Sequence, residues 1–363
     1  MKIAMISSGS SIHVKKIANA MAERGHEIRL YTLPNNTKLL SDFDRRILIV
    51  QLPWKGKAGY FLNAFFIRKN FKKYPPDLVN AHYASGYGTL ARLVGKHPCA
   101  LAVFGSDVYE YPFKSHFNMH IIRNNLDFAD VLTSTSNVMA EQVKTFYNRD
   151  KHIYVTPFGV DLELFHPKEK VKSGEFVFGT VKKIEPKYGI DILIRAFEKF
   201  CCTYPNKNTK LLIYGTGTAV DEYRQLTENL GLSERVSFLG FIKNELVPEA
   251  LAEMDVAIYS SSSSSESFGV AAVEAMACGV PVIASNASGF TEIMEEGKTG
   301  LLFPMNDVNA LVQCMIKMYE MDPQERKRMG EAGVARVRKY YDFDKNMDAY
   351  ENALQNAAKR IKR

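Results

Sequence analysis

The chain lacks most of the marks of a secreted, membrane-spanning or metal-built protein. It has one tryptophan and five cysteines in 363 residues. Cys99, Cys201, Cys202, Cys278 and Cys314 make no C-x-x-C pair, so neither a zinc cage nor a dithiol couple is spelled out. An odd, scattered set fits a reducing compartment. No apolar run approaches the ~20 residues that span a bilayer. The opening Met1-Lys2-Ile3-Ala4-Met5-Ile6-Ser7-Ser8 reads as a strand entering a turn, without the apolar core of ~7–15 residues of a signal peptide, so a cytoplasmic place is expected. Hydrophobic residues at 46% and charged residues at 24% exclude a disordered or fibrous chain, and the length suits two domains.

Charge is unevenly spread. Residues 1–165 hold 21 Lys and Arg against 13 Asp and Glu, a surplus of eight, and the remainder is nearly balanced, so the net +7 lies in the first half. That half is the better candidate for an anionic partner. A net +7 with no recognition module argues against a nucleic-acid partner.

Short apolar strands alternate with amphipathic helices. Strands are expected at Ile3–Ile6, Glu27–Thr32, Leu78–Ala81, Ala100–Phe104 and Val131–Ser134, with a helix over Ile12–Arg24. The segment Thr156–Pro167 is turn-rich and charged residues follow to Lys172, which places a domain boundary there. A second alternation has strands at Phe176–Val181, Leu211–Tyr214, Val236–Gly240, Val256–Tyr259 and Pro281–Ala284, and helices at Ile190–Phe200, Asp221–Leu230 and Phe268–Ala277. The fold class is α/β, with two Rossmann-like doubly wound domains, 1–165 and 166–345, and a terminal segment 346–363. Ligands of such sheets bind at the carboxyl ends of strands, so a cleft between the domains is the expected site.

The six serines Ser260–Ser265 are either a flexible connector or a loop of small residues lining a ligand. Beyond them, Glu266-Ser267-Phe268-Gly269-Val270-Ala271-Ala272-Val273-Glu274 sets two carboxylates eight residues apart. With a helix starting near Phe268, the N–H groups of Phe268, Gly269 and Val270 would be unpaired donors suited to a phosphate. The carboxylates would accept from sugar hydroxyls, or else sit as a helix-start charge and a solvated Glu. Lys182 and Lys187, after the first strand of the second half, can neutralise a diphosphate or simply form a charged loop. Gly215-Thr216-Gly217 allows close approach of a nucleotide, but Val220 stands where a full G-x-G-x-x-G has glycine.

Taken together, these segments resemble the retaining glycosyltransferases of family 4, which have the GT-B fold. Glu266 to Glu274 matches the family's Glu, seven residues, Glu with Phe-Gly after the first. Ala275–Ser285, Gly289–Ile293 and Gly297–Leu302 continue its text. The resemblance implies a donor site of Gly9, Ser10, Lys182, Lys187, Gly215, Gly217, Glu266, Ser267, Phe268, Gly269, Val270 and Glu274. Lys182 stands where the family has Arg, which keeps charge and loses the bidentate fork. It also implies catalytic roles for Glu266, Lys182 and Lys187, with Asp107 and His82 on the acceptor side. Phe104-Gly105-Ser106-Asp107 resembles the family's His-Gly-x-Asp loop with Phe104 in place of its His. Asp107 reads equally as a turn or cap residue. No metal and no cofactor are expected beyond a nucleotide-diphosphate sugar co-substrate, UDP-linked more often than GDP-linked. A last helix crossing back to the first domain is implied, with a hinge near Gly159 and a second crossing near Tyr340.

Residues 54–73 combine Trp54, Tyr60, Phe61, Phe65, Phe66, Ile67 and Phe71 with Lys55, Lys57, Arg68, Lys69, Lys72 and Lys73. That mixture suits an interfacial helix on an anionic membrane, or a core helix with a solvated basic edge. The function expected is transfer of a hexose or N-acetylhexosamine to a lipid-linked or cell-surface polysaccharide acceptor by a cytoplasmic protein, peripheral at the inner face of the plasma membrane. A nucleotide-sugar epimerase of similar fold or a non-catalytic sugar-nucleotide-binding protein are the alternatives.

Overall fold

A computed structural model describes residues 1–36, 39–169, 174–205, 208–263 and 266–360. The chain divides into two units. One holds Met1–Phe158 together with the segment from Asp344 onward, and the other holds Gly159–Phe343.

In the first unit, apolar runs too short for helices form seven parallel strands. They are β1 (Lys2–Ile6), β2 (Glu27–Thr32), β3 (Leu48–Gln51), β4 (Leu78–His82), β5 (Cys99–Val103), β6 (Val131–Ser134) and β7 (Ile153–Val155), in the order β3-β2-β1-β4-β5-β6-β7. Between them run α1 (Ile12–Glu23), α2 (Gly56–Lys73), α3 (Gly86–Val94), α4 (Ser106–Tyr109), α5 (His116–Phe128) and α6 (Asn137–Lys144). Both central strands β4 and β5 are buried along their whole length, as parallel strands covered on two faces must be. Val79 and Ala81 face the core shared with α2, α3 and α5. Asn80 and His82 alternate to the opposite face.

The second unit repeats the winding with β8 (Phe176–Val181), β9 (Thr209–Tyr214), β10 (Val236–Gly240), β11 (Val256–Tyr259), β12 (Val282–Ser285) and β13 (Gly300–Phe303), in the order β10-β9-β8-β11-β12-β13. Its helices are α7 (Ile190–Thr203), α8 (Val220–Asn229), α9 (Val247–Ala252), α10 (Val270–Ala277), α11 (Ser288–Ile293), α12 (Val308–Glu320) and α13 (Pro323–Tyr340). In both sheets the strand order reverses beside the first strand, which opens a crevice at the carboxyl ends of β1 and β4 and of β8 and β11.

The last helix, α14 (Phe343–Arg360), packs within the first unit. Arg24 donates to Asp348 at 3.1 Å, and His26 pairs with Glu351 at 3.0 Å. The units part at Phe158 and Phe343, a few residues before the boundaries read from the sequence. The reason is local: the Val160 N–H donates to the Tyr341 carbonyl at 2.8 Å and the Phe343 N–H to that of Val160 at 3.1 Å, which ties Gly159 onward into the second unit. Strands β3, β7 and β13 were not among those expected. All three are edge strands of four residues or fewer, too short to show a period.

Candidate active site

The second unit gathers charge at the carboxyl ends of β8 and β11. Lys182 follows β8, and its Nζ lies 2.6 Å from Oε2 of Glu266. The Ser261 hydroxyl, just past β11, donates to the same oxygen at 3.0 Å. Both side chains of the ion pair are mostly buried, at 15% and 12% exposed. Oε1 of Glu266 takes no partner among the described residues. The Lys182 ammonium also sits 4.6 Å over the Tyr188 ring, and that of Lys187 lies 5.2 Å from the same ring. A cavity of about 40 Å³ opens between Lys187, Tyr188, Ser261, Ser263 and Glu266. The Lys187 cation, one carboxylate and three hydroxyls around this cavity, with the Lys182 ammonium beside them, suit an anionic, hydroxyl-bearing ligand.

The loops that carry these groups are fixed by backbone economy. The serine run splits the two readings left open by its composition. Ser260 Oγ donates to the Gly189 carbonyl at 2.6 Å, Ser262 Oγ to that of Pro186 at 3.2 Å, and the Ser262 N–H to that of Lys187 at 3.0 Å. These serines knit the loop to the Pro186–Gly189 turn and hold Lys187 and Tyr188 at the cavity, so their part of the run is no free connector. Ser264 and Ser265 lie outside the described residues. On the other side, the Gly289 N–H donates to the Glu266 carbonyl at 2.8 Å. A Cβ at Gly289 would stand 2.6 Å from both that oxygen and the Phe268 nitrogen, so only glycine fits.

One expectation needs correction and two readings narrow. The helix after Glu266 begins at Val270, because Gly269 takes a left-handed φ of 85° and Phe268 is buried against Tyr341 instead of opening a turn. Of the three expected helix-start donors, Phe268 and Gly269 therefore precede the helix, and Val270 is its first residue. Ser267 precedes it as well. Glu274 lies on α10 and is buried, so it is not a solvated residue. Gly215 and Gly217 are required by the chain itself: a Cβ would stand 1.9 Å from the Lys182 carbonyl oxygen and 2.0 Å from that of Ile184. What these glycines admit is the backbone that carries Lys182. Sequence reading missed Tyr188 as a cavity wall, whereas Ser261 and Ser263 belong to the serine run for which a ligand-lining loop is one of the two readings. It also missed Tyr259, whose buried hydroxyl has no partner among the described residues and is held well above its usual range by burial, then by the Glu274 carboxylate, the Cys278 thiol and the Glu266 carboxylate.

In the first unit, the Gly9 N–H donates to Thr32 Oγ1 at 2.9 Å, and a Cβ there would meet Leu40 at 2.5 Å and the Asn36 carbonyl at 2.7 Å. The Ser10 N–H meets Ser8 Oγ at 3.3 Å. His82 is fully buried, with Nδ1 at 3.1 Å from Ser7 Oγ and Nε2 at 2.8 Å from the Tyr350 hydroxyl of α14. Tyr350 in turn donates to Asn80 Oδ1 at 2.9 Å. Burial pushes the His82 imidazole down to about 3, so it is neutral. It tethers α14 to β4 and does not lie open to a ligand. Phe104 stacks on His82 at 5.1 Å and meets Tyr83 and Phe158 edge-on. Asp107 is buried too. Its carboxylate accepts from the N–H groups of Ala84 at 2.7 Å, Phe104 at 3.1 Å and Gly105 at 2.8 Å. Of its two readings, the turn residue is the one this geometry describes. Beside it, Tyr83 holds a φ of 66°, a strained conformation for a bulky residue at a strand's carboxyl end.

Two doubly wound units in one chain are the architecture of the GT-B fold. Residues 161–336 match the model of glycosyl transferases group 1, and residues 2–136 that of the glycosyl transferase 4-like domain. The chain belongs to the family 4 GT-B glycosyltransferases. It is 26% identical to N-acetyl-alpha-D-glucosaminyl L-malate synthase of Bacillus anthracis, over 94% of this chain and 92% of that one. It is also 26% identical to D-inositol 3-phosphate glycosyltransferase of Corynebacterium glutamicum (strain R), over 92% and 88%. Among solved structures, HepE of Anabaena in complex with UDP superposes with a TM-score of 0.83 at 21% identity, over 98% of this chain and all of that one.

Proposed function

We propose that this glycosyltransferase moves a hexose or N-acetylhexosamine from a UDP-sugar to a lipid-linked or cell-surface polysaccharide acceptor, with retention at the anomeric carbon and without a metal. The observation that carries the donor side is the Lys182–Glu266 pair at 2.6 Å beside the cavity at Lys187 and Tyr188. Lys182 and Lys187 neutralise the diphosphate as the bond from sugar C1 to its oxygen breaks. Glu266 holds the sugar hydroxyls through its unpartnered oxygen, and Glu274 serves the ribose. The acceptor oxygen bonds to C1 on the face the diphosphate leaves, and its proton passes to the leaving phosphate oxygen. Retention and the proton's path follow the family resemblance.

The choice of UDP is supported by the UDP complex of the Anabaena relative, and that of an N-acetylhexosamine by the name of the Bacillus anthracis relative. The basic surplus of the first half supports a peripheral place at the inner face of the plasma membrane. Among the described residues no helix is long and apolar enough to cross a membrane.

A thermal-shift panel of UDP, GDP, ADP and their common sugar conjugates tests the donor. A ligand that binds only the folded protein raises Tm by mass action. UDP and one UDP-sugar are expected to raise it. A rise with GDP alone would transfer the proposal to GDP-sugars, and no rise with any nucleotide would overturn the assignment of this cavity.

A further inference from the structure

The first unit carries most of its large exposed apolar side chains at one end of one helical layer. α2 packs on α3 and α3 on α5, over a shared core. α2 and α3 follow the carboxyl ends of β3 and β4, and α5 follows that of β5 by way of α4 and the turn Pro112–Lys114. Their first turns therefore lie at the carboxyl edge of the sheet. Six residues stand out from that edge into the third turn of α2: Trp54 is 44% exposed, Phe61 51%, Leu62 52%, Phe65 76%, Phe113 57% and Phe117 69%. Single exposed apolar residues are ordinary, whereas clustered rings mark an interaction surface.

The outward face of α2 changes along its length. Asn63, Ala64, Ile67 and Phe71 point into the core, so for Ile67 and Phe71 the core reading of this helix holds, and Tyr60 and Phe66 are half-buried against it. Helical spacing puts Phe61, Leu62 and Phe65 on the opposite stripe, in line with Lys69 and Lys72. That stripe is apolar to the middle of the helix and basic beyond it. Arg68 is already engaged, since it donates to the Val94 carbonyl at 3.1 Å and also to that of Leu93. The second apolar group, Phe113 and Phe117, lies two helices away, roughly 20 Å at ordinary helix spacing, with Lys114 between its rings in sequence.

We propose that this edge is a two-footed docking surface for an anionic bilayer, with Phe61, Leu62 and Phe65 as one foot and Phe113 and Phe117 as the other. The inference deepens the peripheral placement above and rests on it. Charge selects the occupant. The first half carries a surplus of eight positive charges, and a second copy would set the same lysines of α2 and Lys114 against each other, whereas anionic head groups complement them. Two separate clusters of rings also suit the yielding boundary of head groups and acyl chains. The sheet edge that carries His82, Asp107 and Tyr83 then faces the membrane, where a lipid-linked acceptor presents its sugar.

Flotation of the full chain with vesicles of phosphatidylcholine alone, and of phosphatidylcholine with an equal part of phosphatidylglycerol, tests the proposal. The wild type is expected to float with the anionic vesicles at low salt and less at high salt. Phe61→Ser with Phe65→Ser, and separately Phe113→Ser with Phe117→Ser, are each expected to lower the partition coefficient about tenfold or more. The UDP thermal shift should be the same in all variants, which shows them folded and separates failed docking from a failed donor assignment. The proposal is overturned if the wild type stays unbound with anionic vesicles, or if the Phe113 and Phe117 pair binds like the wild type. A wild-type dimer that the serine pairs turn monomeric by light scattering would overturn it too, by giving the surface to a second copy.

Discussion

Replacing His82 by Gln should remove a pH dependence from the stability of the first unit. His82 has no exposed surface, and burial lowers its imidazole from 6.5 to about 3. Tyr350 donates its one hydroxyl proton to Asn80, so His82 donates from Nε2 to the Tyr350 oxygen and accepts from Ser7 at Nδ1. That neutral ring is satisfied at both nitrogens. In the unfolded chain the ring binds a proton below about pH 6.5, and in the native unit it does not until near 3. The unfolded state therefore gains protons first as pH falls. Stability is full above about pH 6.5 and is lost through the window down to about 3, at ~1.4 kcal/mol per unit. Between pH 8 and pH 5 the loss from this one group is about 2 kcal/mol. A Gln amide can hold the contact with Tyr350 without titrating. The assay is urea unfolding of wild type and His82→Gln at intervals from pH 8 to pH 5, followed by Trp54, the chain's single tryptophan, which lies in the first unit. Other titrating groups are common to both proteins, so the difference isolates His82. Two stability curves running parallel over that range would refute the burial argument.

Glu266→Gln should lower turnover ~100-fold or more while UDP affinity stays within a few-fold, because the carboxylate acts on the sugar and not on the nucleotide. Glu274→Gln should instead weaken UDP binding, read by calorimetry, and equal effects of both substitutions on both quantities would mean the roles are misassigned. Asp107→Ala strands three buried N–H donors and should cost about 3 kcal/mol or more in urea unfolding, with Asp107→Asn costing less because one acceptor oxygen remains. If the alanine variant keeps its stability within about 1 kcal/mol while transfer collapses, Asp107 is an acceptor contact and not the tie of its turn.

Most of the architecture is written in local pattern. Alternating apolar runs and helical periods are short-range properties, and they place ten strands and the glutamate pair at Glu266 and Glu274 without tertiary knowledge. The strands they miss are edges, where short length and one-sided cover erase the period. Tertiary structure decided what the marked residues touch. Gly215 and Gly217 look like a nucleotide loop in sequence, but the backbone pressed against them is that of Lys182 and Ile184, which the pairing of β8 with β9 brings there. His82 reads as a ligand-facing residue until α14 packs Tyr350 against it from 268 positions away. Phe65 and Phe71 are alike in sequence, and only the cover over α2 makes one exposed and the other core. A sequence sets how side chains alternate along an element, whereas the faces that are buried depend on which distant element lies across them, and that follows from the winding of the whole unit.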